Sequence, residues 1–242
     1  MRFTIFDVET RIDKHLLKAI YFPREEISEE DAYRRVRDRL LAERQSDFFP
    51  VSFHVPISIA AGHVSEERAL TGIETLVEVD YSEEGIVRAF WDRVERFHGV
   101  LVSFNGRNFD LPVLELQGLR YGCPAPRYFN EKYGHRHRYS EQGHYDLYDF
   151  LTNNGMYRIR GGFNLLARLI GLPGKGAIDG SMVQGLWEEG RLADIHRYCR
   201  RDVLQTYFLF LRVELVRGRV SPERYAQLLE QAAPMLEELG TQ

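Results

Sequence analysis

Two carboxylates, Asp7 and Glu9, close the apolar run of residues 2–8. In an extended strand over residues 3–9 successive side chains alternate, so Phe3, Ile5, Asp7 and Glu9 share one face. Like charges side by side at the end of an apolar strand repel and resist desolvation, and a divalent cation reverses that cost. Hard oxygen donors at this spacing suit Mg²⁺ or Mn²⁺, which also bind phosphate oxygens. Read alone, the pair is better taken as solvated residues where a strand runs out into a loop.

Further along stand three more residues of the same character. Asp110 follows the apolar run Val100-Leu101-Val102-Ser103-Phe104 through the turn Asn105-Gly106, and Pro112 suits the first turn of a helix. Strand-to-helix junctions are where α/β proteins place their sites, although Asp110 by itself is also a plain helix cap. Tyr198 and Asp202 lie four apart in a helical pattern over residues 192–216 and share a helix face. Out of context they are a core tyrosine beside a solvated aspartate.

The elements that must position these residues follow from periodicity. Ser28 and the acids after it predict a helix to residue 44, its apolar stripe formed by Tyr33, Val36, Leu40 and Leu41 within a charged segment over 13–45. Residues 51–64 and 70–80 read as strands, and Ser82 begins an amphipathic helix to His98. The strand over 100–104 reads as buried on both faces, giving a β-β-β-α-β start to a layered domain. A short helix over 146–151, one around 163–170 and a last one over 221–239 complete the pattern. With no repeat or linker, residues 1–242 read as one domain.

Composition sets bounds. The 242 residues are 44% hydrophobic with a net charge of -4, so bulk charge does not mark a nucleic-acid binder, nor does it exclude one that holds phosphate through metal ions. Cys123 and Cys199 have no metal-ligand spacing, which points to a reducing compartment. No membrane span or signal pattern is seen, and the expected location is the cytoplasm.

Asp7-Val8-Glu9-Thr10, then Asn105-Gly106-Arg107-Asn108-Phe109-Asp110, then Tyr198-Cys199-Arg200-Arg201-Asp202 occur in that order. The set resembles the DEDD (DnaQ-like) superfamily of 3′-to-5′ exonucleases in its tyrosine form. Arg197 stands where the histidine form would need its histidine. Together with Gly171-Leu172-Pro173-Gly174-Lys175 and Ile178-Asp179-Gly180-Ser181, it is similar to stand-alone relatives of the proofreading exonuclease domain of family B DNA polymerases, over residues 3–212. The resemblance implies a ribonuclease H-like α/β fold, a mixed five-stranded sheet flanked by helices with the acids near its centre. It also implies metal ligands at Asp7, Glu9, Asp110 and Asp202, a catalytic tyrosine at Tyr198, and two Mg²⁺ or Mn²⁺ ions in a two-metal hydrolysis of terminal phosphodiesters. Single-stranded DNA 3′ ends are the expected substrate, with a polymerase or repair partner unidentified. RNA, or binding without catalysis, are the alternatives.

Thr10, Asn105 and Phe109 sit on motif positions and are assigned to local support and nucleic-acid contact. By chemistry alone, Arg158, Arg160 and Lys175 are phosphate-contact candidates. The arginines and tyrosines between residues 120 and 145 suit either a single strand or a loop packed on its own aromatics. His135 and His137 read as surface residues.

Overall fold

The computed structural model describes residues 1–77, 81–132, 134–172 and 179–240. Strand β1 (Phe3–Ile12) buries Phe3 and Ile5 on one face and Phe6 and Val8 on the other. A strand apolar on both sides belongs inside a covered sheet. After it come α1 (Lys14–Tyr21), capped by Asp13 on the Leu16 N–H, and α2 (Glu29–Arg44), capped by Ser28. A 3-10 turn over Val51–Phe53 leads into β2 (His54–Val64) and β3 (Leu70–Thr75). These pair antiparallel, β2 with β1 and β3 with β2.

Helix α3 (Glu83–Arg96), capped by Ser82, carries the chain to β4 (Val100–Ser103), which lies parallel to β1. Next come α4 (Asp110–Tyr121), α5 (Pro126–Asn130) and β5 (His144–Asp146), the last parallel to β4. The short helices α6 (Leu147–Leu151), α7 (Gly162–Leu169) and α8 (Val183–Glu188) then precede α9 (Leu192–Val216) and α10 (Pro222–Gly240). The sheet order is β3-β2-β1-β4-β5, so β1 is central. This is the mixed five-stranded α/β sheet that the sequence leads one to expect.

Two cores cover the sheet. On one face Phe3, Ile5 and Val102 pack against Cys199, Val203 and Phe210 of α9. On the other, Phe6, Val8 and Leu101 pack against Phe90 and Trp91 of α3 and Leu111 and Leu114 of α4. Strand parity therefore turns Asp7 and Glu9 toward the α9 side. Among the described residues no helix is long and apolar enough to cross a membrane.

Several local expectations need correction. The charged segment holds two helices rather than one; α1 and α2 close on each other through Leu17, Ala32, Val36 and Leu40, while Leu41 stays 42% exposed. Residues 51–53 coil before β2 begins at His54. β5 has three residues, too few to display a period. Of the strand expected over 70–80, residues 78–80 lie outside the described residues.

Candidate active site

Asp7 and Glu9 continue the face of β1 that Phe3 and Ile5 bury, and α9 crosses that face. The Cys199 thiol of α9 donates to the Asp7 carbonyl oxygen at 3.4 Å and lies 3.7 Å from Asp7 Oδ2. One donor atom each from Asp7, Glu9 and Cys199 falls within 4.8 Å of the others. Burial holds the Asp7 carboxyl well above the usual range, and the nearby Asp202 and Asp110 carboxylates push it further, against hydrogen bonds from Cys199 and Glu9. Tyr198 hydrogen-bonds Asp202; burial, then the charges of Asp202, Glu9 and Asp7, raise its phenol far above the ordinary value. The residues singled out on three separate stretches are thus brought to one place.

Asp110 arrives from the opposite side of β1. The parallel pairing of β4 runs Ile5 beside Val102, so the chain leaving Ser103 passes along the acidic half of β1. The residue is not a cap: Phe109 holds the N-cap position without a side-chain bond, and Asp110 is the first residue of α4, only 6% exposed. Its carboxyl is pushed up to about 7, by burial first and by Asp146, against backbone N–H groups of its own residue and of Val8.

The loop that delivers Asp110 is held from β5. Asp146 accepts the Asn105 N–H on Oδ1 at 2.8 Å and the Arg107 N–H on Oδ2 at 2.9 Å, and it also caps α6. Asn105 takes the left-handed conformation, φ 66°, a bend that asparagine tolerates better than most residues. At Gly106 a Cβ would stand 2.3 Å from Ser103 Oγ and 3.4 Å from Asp110 Oδ2.

Past Glu9 the β1–β2 register slips, with Thr10 opposite Pro56, a residue that has no N–H to donate. Thr10 Oγ1 then meets His54 Nδ1 at 2.7 Å. His54 Nε2 faces the Phe49 carbonyl at 3.2 Å, so Nε2 donates and Nδ1 accepts the threonine proton. Burial lowers the His54 pKa to about 4, keeping the ring neutral. Phe109 packs edge-on to His54 with centroids 4.9 Å apart.

Among the described residues no lysine or arginine pairs with Asp7 or Asp110. Clustered, partly buried carboxylates of raised pKa are the donor chemistry that a hard divalent cation satisfies. The residues present fit such an ion, with Cys199 adding a softer donor.

Arg158 and Arg160 are exposed on the connection between α6 and α7, on either side of Ile159, which packs against the core cluster that contains Cys199. Lys175, like Tyr133 and Ile178, lies outside the described residues. Between residues 120 and 145 several of the basic and aromatic side chains are engaged within the fold: Tyr128 is buried on Trp91, Arg127 bonds Glu131 and the Phe97 carbonyl, and Arg136 pairs with Glu115, while Tyr139 stays exposed. His135 is not a surface residue; it is 2% exposed and bonds the Gly99 carbonyl. Sequence reasoning missed Cys199, Asp146 and His54, because their relation to the acids is made only by tertiary contacts; the Asp146-Leu147 helix start was the one visible signal.

Comparisons with known proteins bear on the family and the fold. The family model described as a predicted 3′-5′ exonuclease related to the exonuclease domain of PolB matches residues 46–242. That span holds Asp110, Tyr198 and Asp202 and begins after Asp7 and Glu9. A search of curated proteins returns no match. Among solved structures, the family B DNA polymerase of the hyperthermophilic archaeon Pyrobaculum calidifontis superimposes with a TM-score of 0.54 at 18% identity, over 89% of this chain and 24% of the polymerase. The chain thus spans about a quarter of that polymerase, and at this identity the likeness is one of fold. The chain belongs to the family of predicted 3′-to-5′ exonucleases related to the PolB exonuclease domain.

Proposed function

We propose that the protein is a metal-dependent 3′-to-5′ exonuclease of the tyrosine DEDD type, which removes nucleoside 5′-monophosphates from DNA 3′ ends, single strands preferred. The observation that carries this reading is the meeting of Asp7, Glu9, Asp110 and Asp202 beside Tyr198, each carboxylate within electrostatic reach of another. Two Mg²⁺ or Mn²⁺ ions, if held by these acids, would supply the acidity for a water nucleophile and the charge to offset the leaving 3′ oxygen. Asp7, Glu9, Asp110 and Asp202 are the residues that would hold the ions, Asp7 being the carboxylate that both Asp202 and Asp110 reach electrostatically.

Tyr198 keeps its proton, since burial and three neighbouring acids all disfavour the phenolate. It therefore orients the attacking water by hydrogen bonding and is not its base. Thr10, Asn105 and Phe109 line the approach, and Arg158, Arg160 and Lys175 are proposed to meet the phosphates further along the strand. The preference for DNA rests on the relation to the PolB exonuclease domain.

Single-stranded DNA and RNA labelled at either end, digested with Mg²⁺, Mn²⁺ or EDTA beside Asp7→Ala, test the proposal. Mononucleotide release from the 3′ end that EDTA and Asp7→Ala both abolish is expected. Equal activity in Asp7→Ala would remove the site assignment, and release from the 5′ end would reverse the polarity.

A further inference from the structure

Phe48 sits outside the core, 56% exposed, at a point where the chain has no local reason to display an aromatic ring. Its neighbours fix it there. Phe49 turns inward and stacks on Tyr33 with centroids 5.0 Å apart and planes 10° apart. Asp47, on the other side, pairs with Arg37 of α2 at 3.0 Å, and the Phe48 N–H bonds Ser46 Oγ. Anchored before and after, the Phe48 ring has no route into the interior.

Beneath it lie two rings that belong to the site. Phe48 stacks on His54 at 5.3 Å with a 30° angle between planes, and it meets Phe109 at 5.4 Å. His54 is bonded to Thr10, the residue after Glu9, and Phe109 is the residue before Asp110. The exposed ring therefore stands one side chain away from residues flanking two of the candidate ligands, on a support of a neutral imidazole and a second phenyl. A ring left this exposed keeps an apolar face that a flat partner would cover.

We propose that Phe48 is the stacking platform for the nucleobase at the 3′ end of the substrate strand, holding the base while the adjoining phosphodiester lies at the acids. The proposal rests on the exonuclease reading above and adds to it the site that takes the base. Stacking on a phenyl ring is tolerant of base identity, so the platform sets the position of the terminal nucleotide without selecting a sequence. Helices α1 and α2, which hold the Phe48 segment in place, precede the stretch matched by the family model apart from their contacts at residues 47–53.

The test uses the full chain and a single-stranded oligodeoxynucleotide carrying 2-aminopurine at its 3′ end, bound with Ca²⁺ in place of Mg²⁺. Stacking quenches the fluorescence. Wild type and Phe48→Trp should quench it, and Phe48→Ala should lose the quenching. With Mg²⁺, kcat/KM for Phe48→Ala should fall about tenfold on an ordinary 3′ end, and the difference from wild type should vanish on a 3′-terminal abasic nucleotide. A melting curve close to wild type certifies the fold of the alanine variant.

Unchanged quenching and unchanged kcat/KM in Phe48→Ala would overturn the platform while leaving the exonuclease reading intact. A loss equally large on the abasic end would also overturn it, since the base would then play no part. Nuclease activity that survives Asp7→Ala would instead undo the site reading, whatever Phe48 does.

Discussion

Asp146 and Arg107 are joined by a 2.9 Å hydrogen bond in which the N–H of Arg107, in the turn before α4, donates to a carboxylate at the end of β5. With the matching bond to Asn105, it ties the end of β5 to the loop that presents Asp110. Asp146→Ala leaves these backbone donors without their acceptor, each worth roughly 1–3 kcal/mol when buried. Denaturant unfolding should show a loss of about 2–5 kcal/mol, with nuclease activity falling further than stability. Asp146→Asn, which keeps a carbonyl acceptor, should lose less of both.

Gly106 offers an independent test of the same loop. A methyl group there meets Ser103 Oγ at 2.3 Å, and that hydroxyl is itself held 2.8 Å from His144 Nε2. Gly106→Ala should cost about 1–3 kcal/mol and displace Asp110, which calorimetric melting and the turnover rate would both register.

The acids make stability depend on pH in the metal-free protein. Asp110 is raised from near 3.8 to about 7, and Asp7 moves in the same direction. The folded state thus holds a proton that the unfolded chain releases near pH 4. Their contribution is fully present below that point and is lost as pH climbs through about 7. In EDTA stability should fall by a few kcal/mol between about pH 4 and about pH 7, and the melting temperature should fall with it. Mn²⁺ displaces the protons, so it should raise the melting temperature more at the alkaline end. An EDTA melting temperature that rises over the same interval would contradict the assigned shifts.

For Tyr198, a positioning role separates rate from metal affinity. Tyr198→Phe should lower kcat about 10- to 100-fold with Mn²⁺ binding unchanged. The wild-type rate should show no limb near pH 10, where an unperturbed phenol would titrate.

The legible parts of this site were those with a short-range signature. The parity of β1 put Asp7 and Glu9 on the Phe3 face, and spacing of four put Tyr198 with Asp202, so two halves of the cluster were readable from local geometry. That Asp110 is the first residue of α4 and not its cap depends on the bend at Asn105, which Asp146 holds from β5. Nor does the sequence reveal that Cys199, apparently without metal-ligand spacing, turns toward Asp7, since that contact exists only when α9 crosses the sheet. β5 was hidden by its length. Phe48 carries no periodicity at all and is recognisable only through the rings beneath it.

The central claim is that carboxylates distant in sequence form one cation site. Calorimetric titration of Mn²⁺ into the EDTA-stripped, dialysed protein, beside Asp7→Asn and Asp202→Asn, tests it most directly. The account predicts saturable binding by the wild type with proton release, and loss of that binding in both variants. Binding that persists undiminished in Asp7→Asn and Asp202→Asn would contradict it.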